Sequence, residues 1–257
     1  MTQPKLFNLE GQVVVVTGGG KGIGKVYVEA FARAGARVVA ADIDGDAART
    51  VADRLVGQRR DVLGLTTDIA DPDSVEAMVA ATEERFGRLD VLVNNASLMS
   101  VLPRQNWMEI PVAEWDRVME VNLRGMFLCC HAAFPAMRRQ GRGKIVNIAS
   151  SRAFEGTPLR LHYTTSKAGV VGFTRALARE VGSFGVTVNA VAPGNTLSET
   201  QVSSSSAEYL ATKTEGRAIP RAQLPDDLIG AVMFFASAAS DFITGQTLVV
   251  DGGRAMH

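Results

Sequence analysis

Tyr163 and Lys167 stand four residues apart, and on a helix that spacing places both side chains on one face. Together they could move a proton. A phenol with its ordinary pKa of about 10 is a poor base near neutral pH. An ammonium held beside it stabilises the phenolate and makes it a better one. Ser150 closes the apolar run that precedes this pair. Its hydroxyl could emerge at the same sheet edge and hydrogen-bond a carbonyl or alkoxide oxygen as charge develops there. Tyr-x-x-x-Lys alone is a common spacing and reads equally as a surface pair. Ser150, and a nucleotide-type turn on the same expected edge, lift it above that. Between Ser150 and Ser151, strand alternation favours Ser150, since it turns Ser151 to the other side. Ser151 is then a backbone-bonding loop residue.

That turn is Thr17-Gly18-Gly19-Gly20-Lys21-Gly22-Ile23-Gly24, between a valine run and a helical pattern. Glycine permits positive φ there and lets the backbone approach a pyrophosphate closely. The helix N-terminus adds free N–H groups and a partial positive charge. Alone the turn is a weak signal, and the strand–turn–helix setting strengthens it. Asp42 ends the second apolar run, where an acidic side chain meets an adenosine ribose. A carboxylate there accepts from the ribose hydroxyls and repels a 2′-phosphate. Lys21 argues the other way. Asp42 would act at short range and partly desolvated, whereas Lys21 is on a solvated loop where screening weakens it. The expected cofactor is therefore NAD rather than NADP. The alternative for Asp42 is an N-cap or loop acid. Asp68 has two roles open, a hydrogen bond to an adenine amine or a turn before Pro72. Asn95 and Ala96 follow the fourth apolar run, where small and amide residues suit a cofactor crevice. The contact candidates at this end are Gly18, Lys21, Gly22, Ile23, Gly24, Asp42, Ile43, Asp68, Ile69, Asn95 and Ala96.

Short apolar runs alternate with helical patterns along the chain. Strands are expected at residues 13–16, 37–41, 62–67, 89–93, 144–149, 186–191 and 247–250. Helices are expected at 23–34, 46–56, 72–86, 113–119, 123–137, 163–181 and 226–236. Gly35, Gly57 and Gly87 fit helix endings. Strands apolar almost throughout are covered on both faces, as in parallel sheets, and the alternation implies right-handed βαβ units. The expectation is one α/β domain over residues 1–257 with no internal repeat. Residues 194–220, with the serine run 203–206, form the least regular segment, read as a substrate loop or a solvated surface loop.

Hydrophobic residues make up 46% of the 257, enough for a substantial core, and the formal net charge is zero. No basic excess points to nucleic acid or an anionic membrane. The first residues lack a signal-peptide pattern, and no apolar run reaches the ~20 residues of a membrane span. Cys129 and Cys130, the only cysteines, read as packed core thiols of a cytoplasmic protein. No metal site is expected.

The chain resembles the classical short-chain dehydrogenases/reductases over nearly its whole length. The resemblance is carried by residues 17–24, Asp68, residues 94–96, Asn122, Ser150, residues 163–167, Pro193-Gly194, and residues 244–253. It implies a Rossmann-type doubly wound domain with a seven-stranded parallel sheet, usually in a homotetramer. It implies Tyr163 as proton donor or acceptor, and Lys167 as ribose ligand and modulator of Tyr163. Ser150, at the family's usual spacing before Tyr163, would orient the substrate oxygen. Asn122 would hold a water linking Lys167 to solvent, and Pro193, Gly194 and Thr196 would line the nicotinamide. Ser97, Thr196 and Ser198 depart from the family's usual residues.

A small-molecule alcohol or its ketone is the expected substrate. Leu98, Met99, Phe154, Leu197 and Tyr209 point to an apolar cavity, with residues 152–158 and His162 in its wall. His162 is a wall residue, not a second base. The C-terminal run resembles NAD-dependent members acting on aromatic alcohols, the 1-phenylethanol and pyridoxal 4-dehydrogenases. Two rival readings are an NADPH-dependent 3-oxoacyl-thioester reductase, which Asp42 opposes, and a non-catalytic NAD-binding regulatory protein, which Tyr163 and Lys167 oppose.

Overall fold

The computed structural model describes residues 7–199 and 216–256. The serine run 203–206, Tyr209 and His257 lie outside the described residues. Seven strands form one parallel sheet: β1 (Val13–Thr17), β2 (Arg37–Asp42), β3 (Val62–Thr66), β4 (Val91–Asn94), β5 (Gly143–Ile148), β6 (Val186–Pro193) and β7 (Thr247–Val250). Their order is β3-β2-β1-β4-β5-β6-β7. The helices between them are α1 (Gly22–Arg33), α2 (Gly45–Val56), α3 (Pro72–Phe86), α4 (Val112–Met119), α5 (Met126–Gln140), the single turn α6 (Arg152–Glu155), α7 (Leu161–Val181) and α8 (Asp226–Ala236).

The valines of β1 show why the sheet has two cores. Side chains alternate along a strand. Val13 and Val15 enter the layer packed by α3, α5 and α7, through Met78, Met137 and Val170. Val14 and Val16 enter the layer of α1, α2 and α8, through Phe31, Leu55 and Leu228. β-branched residues suit such a doubly covered strand. Cys129 and Cys130 are free and buried in the first layer, where burial pushes both thiols up, Cys130 to about 12. Among the described residues no helix is long and apolar enough to cross a membrane.

Several details differ from the sequence reading. Gly87 follows α3 in the left-handed region, φ 74°, but Gly57 after α2 has φ −58°. The left-handed residue of that turn is Arg59, φ 62°. The expected helix at 123–137 is split. Residues 120–125 form a π-helical turn, and α5 follows it. Asp44 caps α2 by accepting from the Ala47 N–H, so the N-cap alternative falls to Asp44 rather than Asp42.

The strand order reverses at β1, which pairs with β2 on one side and β4 on the other. In an open parallel sheet that reversal leaves a crevice beyond the carboxyl ends of the strands. Thr17, Asn94, Ser150 and Gly194 stand at or just past those ends.

Candidate active site

The glycine turn is built by steric necessity. Gly18 and Gly22 hold φ of 64° and 55°, a region side chains disfavour. A Cβ on Gly24 would stand 1.9 Å from the Gly18 carbonyl oxygen and 2.5 Å from Asn95 Nδ2. Asn95 ties the turn to β4. Its Nδ2 donates to the carbonyls of Thr17 and Gly18, at 2.9 and 3.2 Å. Thr17 Oγ1 accepts from the N–H groups of Asn95 and Ala96. Thr17 thus positions the turn, a role the sequence reading did not single out. Among the described residues no side chain caps α1 at Lys21, so its first N–H groups meet an anion without competition. These features fit the pyrophosphate of a dinucleotide.

At the end of β2, Asp42 accepts from the N–H groups of Gly20 (2.9 Å) and Asp44 (3.0 Å). Two bonds leave further lone pairs on the carboxylate. Lys21 pairs with Asp44 at 2.5 Å on the surface, which raises the lysine pKa through that hydrogen bond and charge. Ile43 is exposed beside them. Asp68 accepts from the Ala70 N–H, and the turn acid is the role visible for it. Ile69 is buried in the core, its side chain close under Gly125.

Past the ends of β4, β5 and β6 opens a cavity of about 330 Å³. It brings together Ile23, Asn95, Ser150, Tyr163, Lys167, Pro193, Gly194 and Thr196. Ser150, Tyr163 and Lys167 are all buried. Asn195 lines it too, and its Oδ1 is buried with no partner among the described residues. Gly18, Lys21, Gly22, Gly24, Asp42 and Asp68 lie outside this lining.

The Tyr163 phenol faces the Ser150 hydroxyl, which favours its ionised form. Burial holds the phenol above its ordinary pKa, opposed by that hydroxyl and by the charges of Arg152 and Arg160. Lys167 Nζ lies 5.8 Å from the Tyr163 ring centre and donates to the Ile148 carbonyl at 2.8 Å. Burial pushes the Lys167 ammonium down to about 8. The acidifying charges on the phenol are therefore arginines, where the sequence reading assigned that effect to Lys167. The physical reason is position, since Lys167 points to the sheet backbone.

Asn122 sits in the π-helical turn, not in the cavity lining. Its Oδ1 accepts from the Leu98 N–H at 2.7 Å, and its Nδ2 donates to Ser166 Oγ at 3.0 Å. Ser166 Oγ in turn donates to the Tyr163 carbonyl. Asn122 is thus linked to the first turn of α7. π-turns in helices often mark functional sites. Ser151 follows β5 and is not on a strand, so alternation does not govern it. Its hydroxyl donates to Glu155 at 2.5 Å. A buried chain of side chains lies beneath the site. Asn94 Nδ2 donates to Asn147 Oδ1, and Asn147 Nδ2 to Thr174 Oγ1, both at 2.9 Å.

The cavity is not the apolar one expected. Of the apolar residues named for it, Met99 lines it, while Leu98 and Phe154 pack against the core. Tyr209 lies outside the described residues. His162 is fully buried and pairs with Glu114 of α4 at 3.0 Å, away from the cavity. Arg104, Arg152, Arg160 and Arg254 line the cavity in their place. Among the described residues no cluster of three or more His, Cys, Asp or Glu could hold a metal.

A family model described as Enoyl-(Acyl carrier protein) reductase matches residues 18–255. The chain is similar to D-threitol dehydrogenase of Mycolicibacterium smegmatis, 37% identical over 249 residues, covering 96% of this chain and 94% of that protein. Its structure resembles a short-chain type dehydrogenase/reductase from Mycobacterium marinum, with a TM-score of 0.89, 34% identity and 97% of each chain covered. It also resembles a 3-ketoacyl-(acyl-carrier-protein) reductase from Brucella melitensis complexed with NADH. There the TM-score is 0.89, the identity 32%, and the coverage 96% of this chain and 100% of that one.

Proposed function

This chain belongs to the classical short-chain dehydrogenase/reductase family, and on that premise we propose that it exchanges a hydride between NAD(H) and a small-molecule alcohol or ketone. One observation carries the reading: Ser150, Tyr163 and Lys167 share a cavity with Ile23 of α1 and with Pro193, Gly194 and Thr196. The bound nicotinamide supplies the hydride chemistry. Ser150 and the Tyr163 phenol, which line the same cavity, hold the substrate oxygen. Tyr163 takes the hydroxyl proton during oxidation and returns it during reduction. Lys167, still largely protonated at pH 7 with a pKa of about 8, binds the ribose. Asn122 is the positioning residue, through Leu98 and Ser166.

The preference for NAD rests on Asp42. Its carboxylate stands at the end of β2, fixed by two backbone N–H groups. The competing charge of Lys21 is shared with Asp44. Pro193, Gly194 and Thr196 line the nicotinamide in this reading, and residues 194–198 begin the substrate wall. The whole chain, 1–257, acts as one catalytic domain in a cytoplasmic homotetramer.

The test is an initial-rate screen of secondary and aromatic alcohols with NAD and with NADP, beside a 3-oxoacyl thioester with the reduced cofactors. Turnover of alcohols with higher kcat/KM for NAD is expected. Preference for NADPH and the thioester would replace this reading with the reductase one. Tight NAD binding with no turnover of any compound would make the chain a binding protein.

A further inference from the structure

The cavity above Ser150 and Tyr163 carries more positive charge than a neutral alcohol needs. Arg104, Arg152 and Arg160 all line it. Arg152 is the most telling. It enters from α6, two residues after Ser150, and is half-buried. Its hydrogen bonds go only to neutral acceptors: Thr164 Oγ1 at 3.4 Å and the carbonyls of Thr157 and Pro158 at 3.1 and 2.8 Å. These use Nε and Nη2, and among the described residues Nη1 has no acceptor. The acid on the same helix, Glu155, also lines the cavity, and it is paired with Arg254 at 2.7 Å and Ser151 at 2.5 Å. Glu114 is taken by His162 and Gln105.

Burial holds the Arg152 pKa below the ordinary arginine value. Repulsion from Arg160 and Arg104 adds to this, against the pull of Tyr163 and Glu155. Among the described residues this half-buried guanidinium stands among like charges with no carboxylate hydrogen-bonded to it. As a strut for the Thr157–Pro158 carbonyls alone it would be a poor choice, since a neutral donor would serve without the repulsion. The dinucleotide's phosphates do not explain it. Gly18, Gly22 and Gly24 are outside the lining that holds Arg152.

We infer that this cavity takes a substrate bearing an anionic group, a carboxylate or phosphate on the same small molecule as the reacting hydroxyl or carbonyl, with the Arg152 guanidinium as its counter-ion. The inference rests on the oxidoreductase reading above and names its substrate class. The planar fork of arginine suits both anions, and Arg160, on the other side of the Thr157–Pro158 turn, adds to the field.

The test reads binding before turnover. Calorimetry on the NADH-loaded protein compares 4-acetylbenzoate with its methyl ester, and dihydroxyacetone phosphate with dihydroxyacetone. In at least one arm the anion is expected to bind about tenfold more tightly than its neutral partner, the scale of one charge-assisted contact. The arm that responds identifies the anion. The advantage should shrink with added salt and vanish in Arg152→Met. Equal affinities in both arms would overturn the inference, as would an advantage unchanged in Arg152→Met. If that variant fails to fold, an anion advantage insensitive to salt in the wild-type protein overturns it instead. Turnover is then measured with the same compounds. Tighter anion binding with no turnover of these compounds or of any alcohol in the screen above would sink the oxidoreductase reading and leave the anion site standing.

Discussion

Lys167→Met should make this protein more stable and less active. Lys167 is 3% exposed, with its ammonium donating to the Ile148 carbonyl. Burial takes its pKa from the ordinary 10.5 to about 8. At about 1.4 kcal/mol per pH unit, holding the charge inside the fold at pH 7 costs about 3 kcal/mol. Methionine matches much of the stem and carries no charge, but it leaves the carbonyl without that donor, a loss of about 1–2 kcal/mol. The net gain is about 1–2 kcal/mol, or a Tm rise of about 2–6 °C for a chain of this size. The pH dependence follows from linkage. Between pH 8 and 10.5 the unfolded chain keeps the Lys167 proton and the folded chain does not, so wild-type stability rises with pH across that window. The variant has no such rise. Its advantage is therefore full below pH 8 and fades towards 10.5. Thermal unfolding by circular dichroism without added dinucleotide, at neutral and alkaline pH, reads both quantities. A variant less stable than wild type at pH 7, or a Tm difference constant with pH, would refute the reasoning.

Three further substitutions probe other parts of the site. Gly24→Ala places a Cβ 1.9 Å from the Gly18 oxygen, so NADH affinity by fluorescence titration should fall by about tenfold or more, with a lower Tm. Asp42→Ser removes the carboxylate at the end of β2 and should lower the NAD-to-NADP ratio of kcat/KM by about tenfold; an unchanged ratio would remove Asp42 from cofactor selection. Asn147→Ala takes the acceptor from Asn94 and the donor from Thr174, and should cost about 2–3 kcal/mol, read from the urea midpoint.

Much of this was legible in the sequence because buried parallel strands advertise themselves. The valines of β1 and the Val-Val-Ala-Ala run of β2 are apolar on both faces, and each must be covered twice. The glycine turn was legible because Gly18 and Gly24 answer steric demands that few other residues meet. Tyr163 and Lys167 were legible because helical spacing alone puts them on one face. What sequence did not yield follows the same logic in reverse. Arg152 was expected in the cavity wall, but the single helical turn α6 that carries it is too short to show periodicity. Arg160 arrives after Leu159, whose φ of 66° no residue preference announces. The π-turn around Asn122 keeps the same apolar residues as an α-turn, so its pattern does not separate them. Gly57 ends α2 as expected, although the left-handed residue of that turn is Arg59. The apolar cavity was expected from Leu98, Met99, Phe154, Leu197 and Tyr209, of which Leu98 and Phe154 turn into the core.

The central claim is that the phenol of Tyr163 handles the substrate's proton beside a bound dinucleotide. Tyr163→Phe removes one oxygen and leaves the buried ring, so it tests that claim most directly. Measured together, kcat should fall by about 10²–10⁴-fold, while the NADH dissociation constant changes by less than about threefold. A variant that turns over near the wild-type rate, or one that loses dinucleotide binding as steeply as turnover, would contradict the account.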